Sequence, residues 1–134
     1  MNWLSRYADL VYCVIRIVIG LMFTCHGATK ILGFPASQYG PAQSTLGFVS
    51  GWIELVCGLL VTLGLFTRIG AFFASGEMAV AYFMFSANRG FFPIANGGEA
   101  AVFYCFAFFY IIFRGGGPWS IDFLLKKESS AEPA

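Results

Sequence analysis

Four long apolar runs, separated by short polar joints, dominate the pattern of hydrophobic and polar positions along the chain. A helix of about 20 residues crosses the hydrocarbon core of a bilayer. Residues 9–33, 46–66, 68–87 and 98–114 are read as four such helices. The pattern predicts an all-α chain with one domain over 1–134: a four-helix transmembrane bundle followed by a polar tail over 115–134. Phe34-Pro35 ends the first run, because proline has no ladder donor and restricts the residue before it. ANRGFFPIANGG, between the third and fourth runs, reads as a bent segment at the membrane interface. GGGPWSID stops the fourth run, and LLKKESSAEPA reads as a frayed end.

Charged residues interrupt these runs at regular places. Arg16, Gly20, Gly27 and Lys30 fall on one stripe of the first helix at 3.6 residues per turn. His26, the only histidine, lies one turn before Lys30, so the two share a face. In the second run Gly47, Gly51 and Gly58 share the face of Glu54, and in the third Gly70, Ala74 and Ala81 flank Glu77. Small residues let membrane helices approach closely, so both carboxyls are expected to face neighbouring helices. Magnitudes support this for Glu77. Strongly apolar side chains gain about 0.3–0.6 kcal/mol each on insertion, and a central carboxylate costs roughly 2.5–3.5. Glu99 falls in the first turn of the fourth helix, where a carboxylate also suits the helix N-terminus.

Composition agrees with a lipid environment. Only 11% of residues are charged and 58% are hydrophobic, against roughly 25% charged in a soluble domain, which leaves too little charge to cover a water-facing surface. The net charge of +1 gives no basic surface for nucleic acid. The first apolar run is too long for a signal peptide and no small-residue cleavage site follows it, so it reads as an anchor. Cys13, Cys25, Cys57 and Cys105 lie inside apolar runs with no Cys-x-x-Cys, and read as small buried side chains. Arg6, Arg68, Arg114, Lys126 and Lys127 gather on one side, with only Lys30 and Arg89 on the other. The positive-inside rule then makes both termini cytoplasmic.

Counting depth at 1.5 Å per residue predicts two clusters: Arg16 with Glu77, and His26 and Lys30 with Glu54 and Glu99. Ionisable groups within a membrane are candidates for function, though buried pairs can also serve only to fix helix register. Histidine changes charge near neutral pH, which favours the second cluster. A pocket lined by Phe23, Trp52 and Tyr104 beside it is expected to suit a quinone ring or similar polar headgroup. No Glu-x-x-His pair of the di-iron type is present, so no metal site is expected.

RIVIGLMFTCHGATKILGF, GWIELVCGLLVTLGLFTRIGAF, MAVAYFM, GFFPIANGGEAAVFY and GGGPWSID together resemble the DoxX family of small four-helix membrane proteins. The similarity runs from about Arg16 to Asp122, with HG-x-x-K, the glutamate of GWIEL, NGGE and GPWS-x-D in order. It implies a multi-pass protein of the bacterial inner membrane. It also implies a tie to quinone-linked redox chemistry, since the family is named for a relative of the quinone-reducing subunit of an archaeal thiosulfate:quinone oxidoreductase. By position, His26, Lys30, Glu54 and Glu99 match the family's polar signature. The leading expectation is a quinone-linked oxidoreductase component, with His26 and Glu54 exchanging protons and Arg16, Lys30, Trp52, Glu77 and Glu99 in binding roles. The alternatives are a non-enzymatic subunit of a larger membrane complex or homo-oligomer, and a transporter of protons or small solutes.

Overall fold

The computed structural model describes residues 2–38 and 40–130; Tyr39 of the first connector and the tail residues 131–134 lie outside the described residues. A short helix α1, Asn2–Ser5, leads into the long α2, Ala8–Leu32. Helix α3 runs over Thr45–Leu63 and α4 over Thr67–Ala81, continued by a π turn at Tyr82–Ser86 and a 3-10 turn at Ala87–Arg89. A single turn α5, Pro93–Asn96, precedes α6, Glu99–Arg114, and α7, Ile121–Ser129, ends the described chain. No strand occurs among the described residues.

Three of these helices are long and apolar enough to cross a membrane: Ala8–Leu32, Thr45–Leu63 and Thr67–Arg89. The fourth expected span is helical but has 16 residues, about 24 Å at 1.5 Å per residue against a hydrocarbon core of about 30 Å. Helix α3 ends three residues short of the expected boundary because Gly64 takes a left-handed φ of 70° and its N–H turns back to Leu60 and Val61. The tail is also better ordered than expected. Ser120 Oγ accepts from the N–H of Phe123 at 3.1 Å, which starts α7.

Helix α2 packs antiparallel along α3 with backbones nearly touching. A Cβ at Gly27 would lie 2.6 Å from the carbonyl oxygen of Gly51, and one at Gly58 would lie 2.6 Å from the backbone N of Thr24. Lipid supplies no hydrophobic drive between helices, so such close van der Waals approach and interhelical hydrogen bonds carry the association. Helix α4 packs on both α3 and α6. Phe23 of α2 meets Phe108 of α6 edge to face at 4.7 Å, and Val61, Ala71, Ala74 and Ile111 are buried around them. The outward faces carry Val14, Val18 and Leu21 on α2, Phe72 and Phe73 on α4, and Phe103 and Phe106 on α6, all exposed. Only a lipid environment matches that surface. Cys13 and Cys57 are buried as expected, whereas Cys25 is exposed on the outer face of α2.

The segment after α6 clasps one end of the molecule. Arg16, with no exposed surface, donates from Nη1 to the carbonyls of Val61 and Thr62 and from Nη2 to the carbonyl of Trp119. Those α3 carbonyls lie at the helix C-terminus, where intrahelical donors run out and the dipole is negative. The Asp122 carboxylate does the converse for α4, accepting from the N–H groups of Phe66 at 2.8 Å and Thr67 at 2.9 Å and from the Thr67 hydroxyl at 2.6 Å. Partial burial works against its charge, but these hydrogen bonds, with Arg16 nearby, hold the Asp122 carboxyl below its ordinary value. The expected Arg16–Glu77 pair is therefore absent. Depth counting assumed that helix ends lie level, but Gly20 packs against Thr62, so α2 starts about three turns beyond the end of α3. Its first turns instead pack on the clasp, with Tyr12 bonded to the Gly115 carbonyl and Asp9 paired with Arg114.

Candidate binding site

At the other end, α2, α3 and α4 bring a lysine and two glutamates together. Lys30 Nζ lies 2.8 Å from Glu54 Oε1 and donates to Ser50 Oγ at 2.9 Å. Glu54 and Ser50 are one turn apart on α3, so one ammonium spans both. Ser50 passes the chain on, donating to Glu77 Oε1 at 2.6 Å. Position dictates this meeting. Gly27 and Gly51 let α2 and α3 approach closely enough for a lysine one turn away to reach across, and Gly70 does the same for α4 against Leu60.

The expected pairing of Lys30 with Glu54 is thus present, and Glu77 joins this group through Ser50. The cluster has two carboxyls for one ammonium, and its bonds are incompletely filled. Glu54 Oε2, Glu77 Oε2 and the Tyr104 hydroxyl are buried without hydrogen-bond partners among the described residues. A buried polar atom left unpaired costs about 1–3 kcal/mol, so three in one neighbourhood need a reason.

A cavity of about 250 Å³ lies against two of them. Lys30, Glu54, Tyr104 and His26 line it with Phe23 and Met78, and Ser37, Gly40, Ser86, Gly97 and Gly98 also line it. The π turn ends at Ser86, which is buried in that lining. Asn96 holds the rim: its amide donates to the Gly90 carbonyl at 2.7 Å and its oxygen accepts from the Gly98 N–H at 2.8 Å. The expected bent segment thus forms one lip of the cavity. The imidazole of His26 stands edge-on to the Tyr104 ring at 5.9 Å and makes no hydrogen bond among the described residues.

Two expected members are elsewhere. Trp52 is 47% exposed and packs edge to face on Phe48, on the outward side of α3. It lies two residues from Glu54, and that spacing turns it to another face of the helix. Glu99 is exposed in the first turn of α6 and borders a separate surface hollow with Phe103 and Phe106. Its position matches stabilisation of the helix N-terminus. Ser50 was not singled out in the sequence. The signal was its place four residues before Glu54, which puts it on the same face. Among the described residues, no group of three or more His, Cys, Asp or Glu is arranged to hold a metal ion.

An all-helical chain with long apolar helices, a lipid-facing aromatic shell and charged groups held inward is an integral membrane protein. Residues 11–87 match the DoxX family, more than half of the chain, and the protein belongs to that family. It is 45% identical over 129 residues to an uncharacterised protein of Haemophilus influenzae, covering 91% of this chain and 96% of that one. It is 29% identical over 140 residues to an uncharacterised membrane protein of Mycobacterium tuberculosis, covering 90% and 84%. It is 28% identical over 134 residues to the inner membrane protein YqjF of Escherichia coli, covering 93% and 99%. No solved structure matches significantly.

Proposed function

We propose that this protein is a membrane redox component that holds a quinone headgroup in the cavity beside Lys30 and Glu54. The observation that carries the reading is the cavity itself, with Glu54 Oε2 and the Tyr104 hydroxyl buried beside it and without partners among the described residues. The groups fit the ligand. A quinone ring needs donors for two oxygens and an apolar slot. Lys30 and Tyr104 can donate, and Phe23, Met78 and Ala101 supply apolar wall. About 250 Å³ falls just below the roughly 300–1,000 Å³ of sites that enclose drug-sized molecules. That volume suits a headgroup whose isoprenoid tail remains in lipid. Bound there, a quinone supplies two-electron, two-proton redox chemistry. Glu54 would hold or release a proton at Oε2, Lys30 would balance negative charge, and His26 at the exposed edge would exchange protons with the outside.

The same reading has the chain cross the bacterial inner membrane four times, with Glu99–Arg114 as a short fourth span and both termini cytoplasmic. Arg68, Arg114 and Lys126 line one hollow at the clasp end, while Lys30 and Arg89 belong to the opposite end, which is the asymmetry of the positive-inside rule.

Quinone extracted from protein purified in mild detergent, and titration of delipidated protein with a short-chain ubiquinone, test the proposal. The wild type should bind about one equivalent, and Glu54→Gln and Lys30→Met should each weaken binding at least about tenfold. A wild type that neither retains nor takes up quinone overturns it, and a fixed protein partner co-purifying with that quinone-free protein would favour a structural subunit instead.

A further inference from the structure

The clasp end carries a second hollow, more open and of different chemistry. It occupies about 640 Å³ and is walled by α4, the end of α6, the glycine run 115–117 and the start of α7. Three cations border it, Arg68, Arg114 and Lys126, against two carboxylates, Asp9 and Asp122. Those carboxylates are already engaged. Asp122 accepts three hydrogen bonds from Phe66 and Thr67, and Asp9 is paired with Arg114. Among the described residues no carboxylate is paired with Arg68 or Lys126, which both line the hollow, and with buried Arg16 behind the wall the local charge is positive.

The hollow is also built. The Arg68 guanidinium lies over Gly115, where a Cβ would meet its Nε at 3.3 Å, and Gly115 has a φ of 78° that disfavours any other residue. Arg114 is fixed from two sides, by Asp9 and by the Tyr12 ring 5.2 Å from its guanidinium carbon. Phe66 and Phe123, which border the hollow, are exposed, the aromatic surface expected at a bilayer interface.

We infer that this hollow is a binding site for the phosphate of an anionic phospholipid headgroup. Guanidinium groups pair with phosphate oxygens through several parallel N–H donors, and a lysine adds a mobile point charge. Basic pockets where helices meet the membrane surface recognise anionic headgroups. The exposed aromatics at the rim place the acyl chains of the same molecule against protein, which a free phosphate ester would not use. The site is separate from the Lys30 cavity, so it stands or falls independently of the quinone reading.

The test uses the full chain purified in a neutral detergent, with thermal unfolding and retained lipid as readouts. Addition of dioleoylphosphatidylglycerol should raise the midpoint, and dioleoylphosphatidylcholine and inorganic phosphate should not. Protein delipidated and re-equilibrated with an equimolar mixture of the two lipids should keep phosphatidylglycerol in preference. Arg68→Gln with Lys126→Gln should reduce that preference about tenfold. Arg68→Lys with Lys126→Arg should preserve most of it, and Lys127→Gln, outside the hollow, should leave it unchanged. Equal response to the zwitterionic lipid, an equal shift by inorganic phosphate alone, or full preference in the double glutamine variant would each overturn the inference.

Discussion

The two polar constellations of this protein use the same kinds of group and end in opposite states. In the clasp, Arg16 and Asp122 are spent on backbone: one satisfies carbonyls at the end of α3, the other satisfies N–H groups at the start of α4. In the cluster at the far end, Lys30, Ser50, Glu54 and Glu77 bond mainly to one another, and three polar atoms nearby have no partner among the described residues. The first arrangement ties helix ends together and leaves one buried side-chain atom, Arg16 Nε, without a partner among the described residues. The second leaves acceptors and donors beside a cavity. Buried charge is therefore not one signal but two, and its partners tell which.

Breaking the clasp should have the largest effect. Arg16→Leu removes the donors to three carbonyls, at an expected cost of about 3–5 kcal/mol. Thermal unfolding in mild detergent and the yield of folded protein measure it. Arg16→Lys should recover only part of the loss, because an ammonium cannot span carbonyls from two segments as a planar guanidinium does. Unchanged stability in Arg16→Leu would mean that the clasp is not structural.

Asp122 sharpens the same side of the comparison through pH. Its folded carboxyl is held below the ordinary 3.8, so the unfolded chain binds the proton more readily. Its stabilising contribution is complete above that ordinary value and is lost as pH falls through the lower, folded one. Limited proteolysis of α7 should therefore accelerate below about pH 4 in the wild type. Asp122→Asn should start from a loss of about 1–2 kcal/mol and show a flatter acid response.

The cluster should behave in the opposite sense. Glu54→Gln keeps an acceptor for Lys30 while removing a buried charge, so stability should move by no more than about 1 kcal/mol in either direction. Quinone uptake should nevertheless fall about tenfold or more. A loss of stability as large as that of Arg16→Leu would place this cluster among the structural devices.

Much of this was legible in the sequence because lipid imposes simple rules. Run lengths gave the helices, and glycine spacing around Glu54 and Glu77 gave their inward faces. The Lys30–Glu54 pair followed from depth, since Gly27 and Gly51 fix the crossing of α2 and α3 at that level. Arg16–Glu77 failed for a reason that no helical period contains. The ends of helices are acceptors and donors in their own right, and a loop from the far end of the chain, residues 115–122, arrives to use them. The match of GPWS-x-D to the family carried no hint that Ser120 would cap α7 or that Asp122 would cap α4 from outside. Trp52 was misplaced because an aromatic near a key carboxyl is easily taken for its neighbour, although two residues along a helix point it elsewhere.

Glu99 gives the finest discrimination, because proximity in a shared motif competes here with geometry. It follows Asn96 and Gly98, which hold the lip of the cavity, yet its own side chain is exposed at the first turn of α6. A carboxylate there gains about 0.3–1 kcal/mol from the helix N-terminus, and its exposure to solvent argues for the lower end. Glu99→Gln should then lower stability by about 0.3–0.5 kcal/mol, close to the limit of thermal unfolding, and leave quinone uptake at the wild-type level. Asn96→Ala, three residues earlier, should loosen the lip and weaken uptake while leaving α6 itself intact. If Glu99→Gln instead abolished uptake, the cavity would have to extend to the outer face of α6, and the line drawn here between charges spent on helix ends and charges left for a ligand would fail at its nearest test.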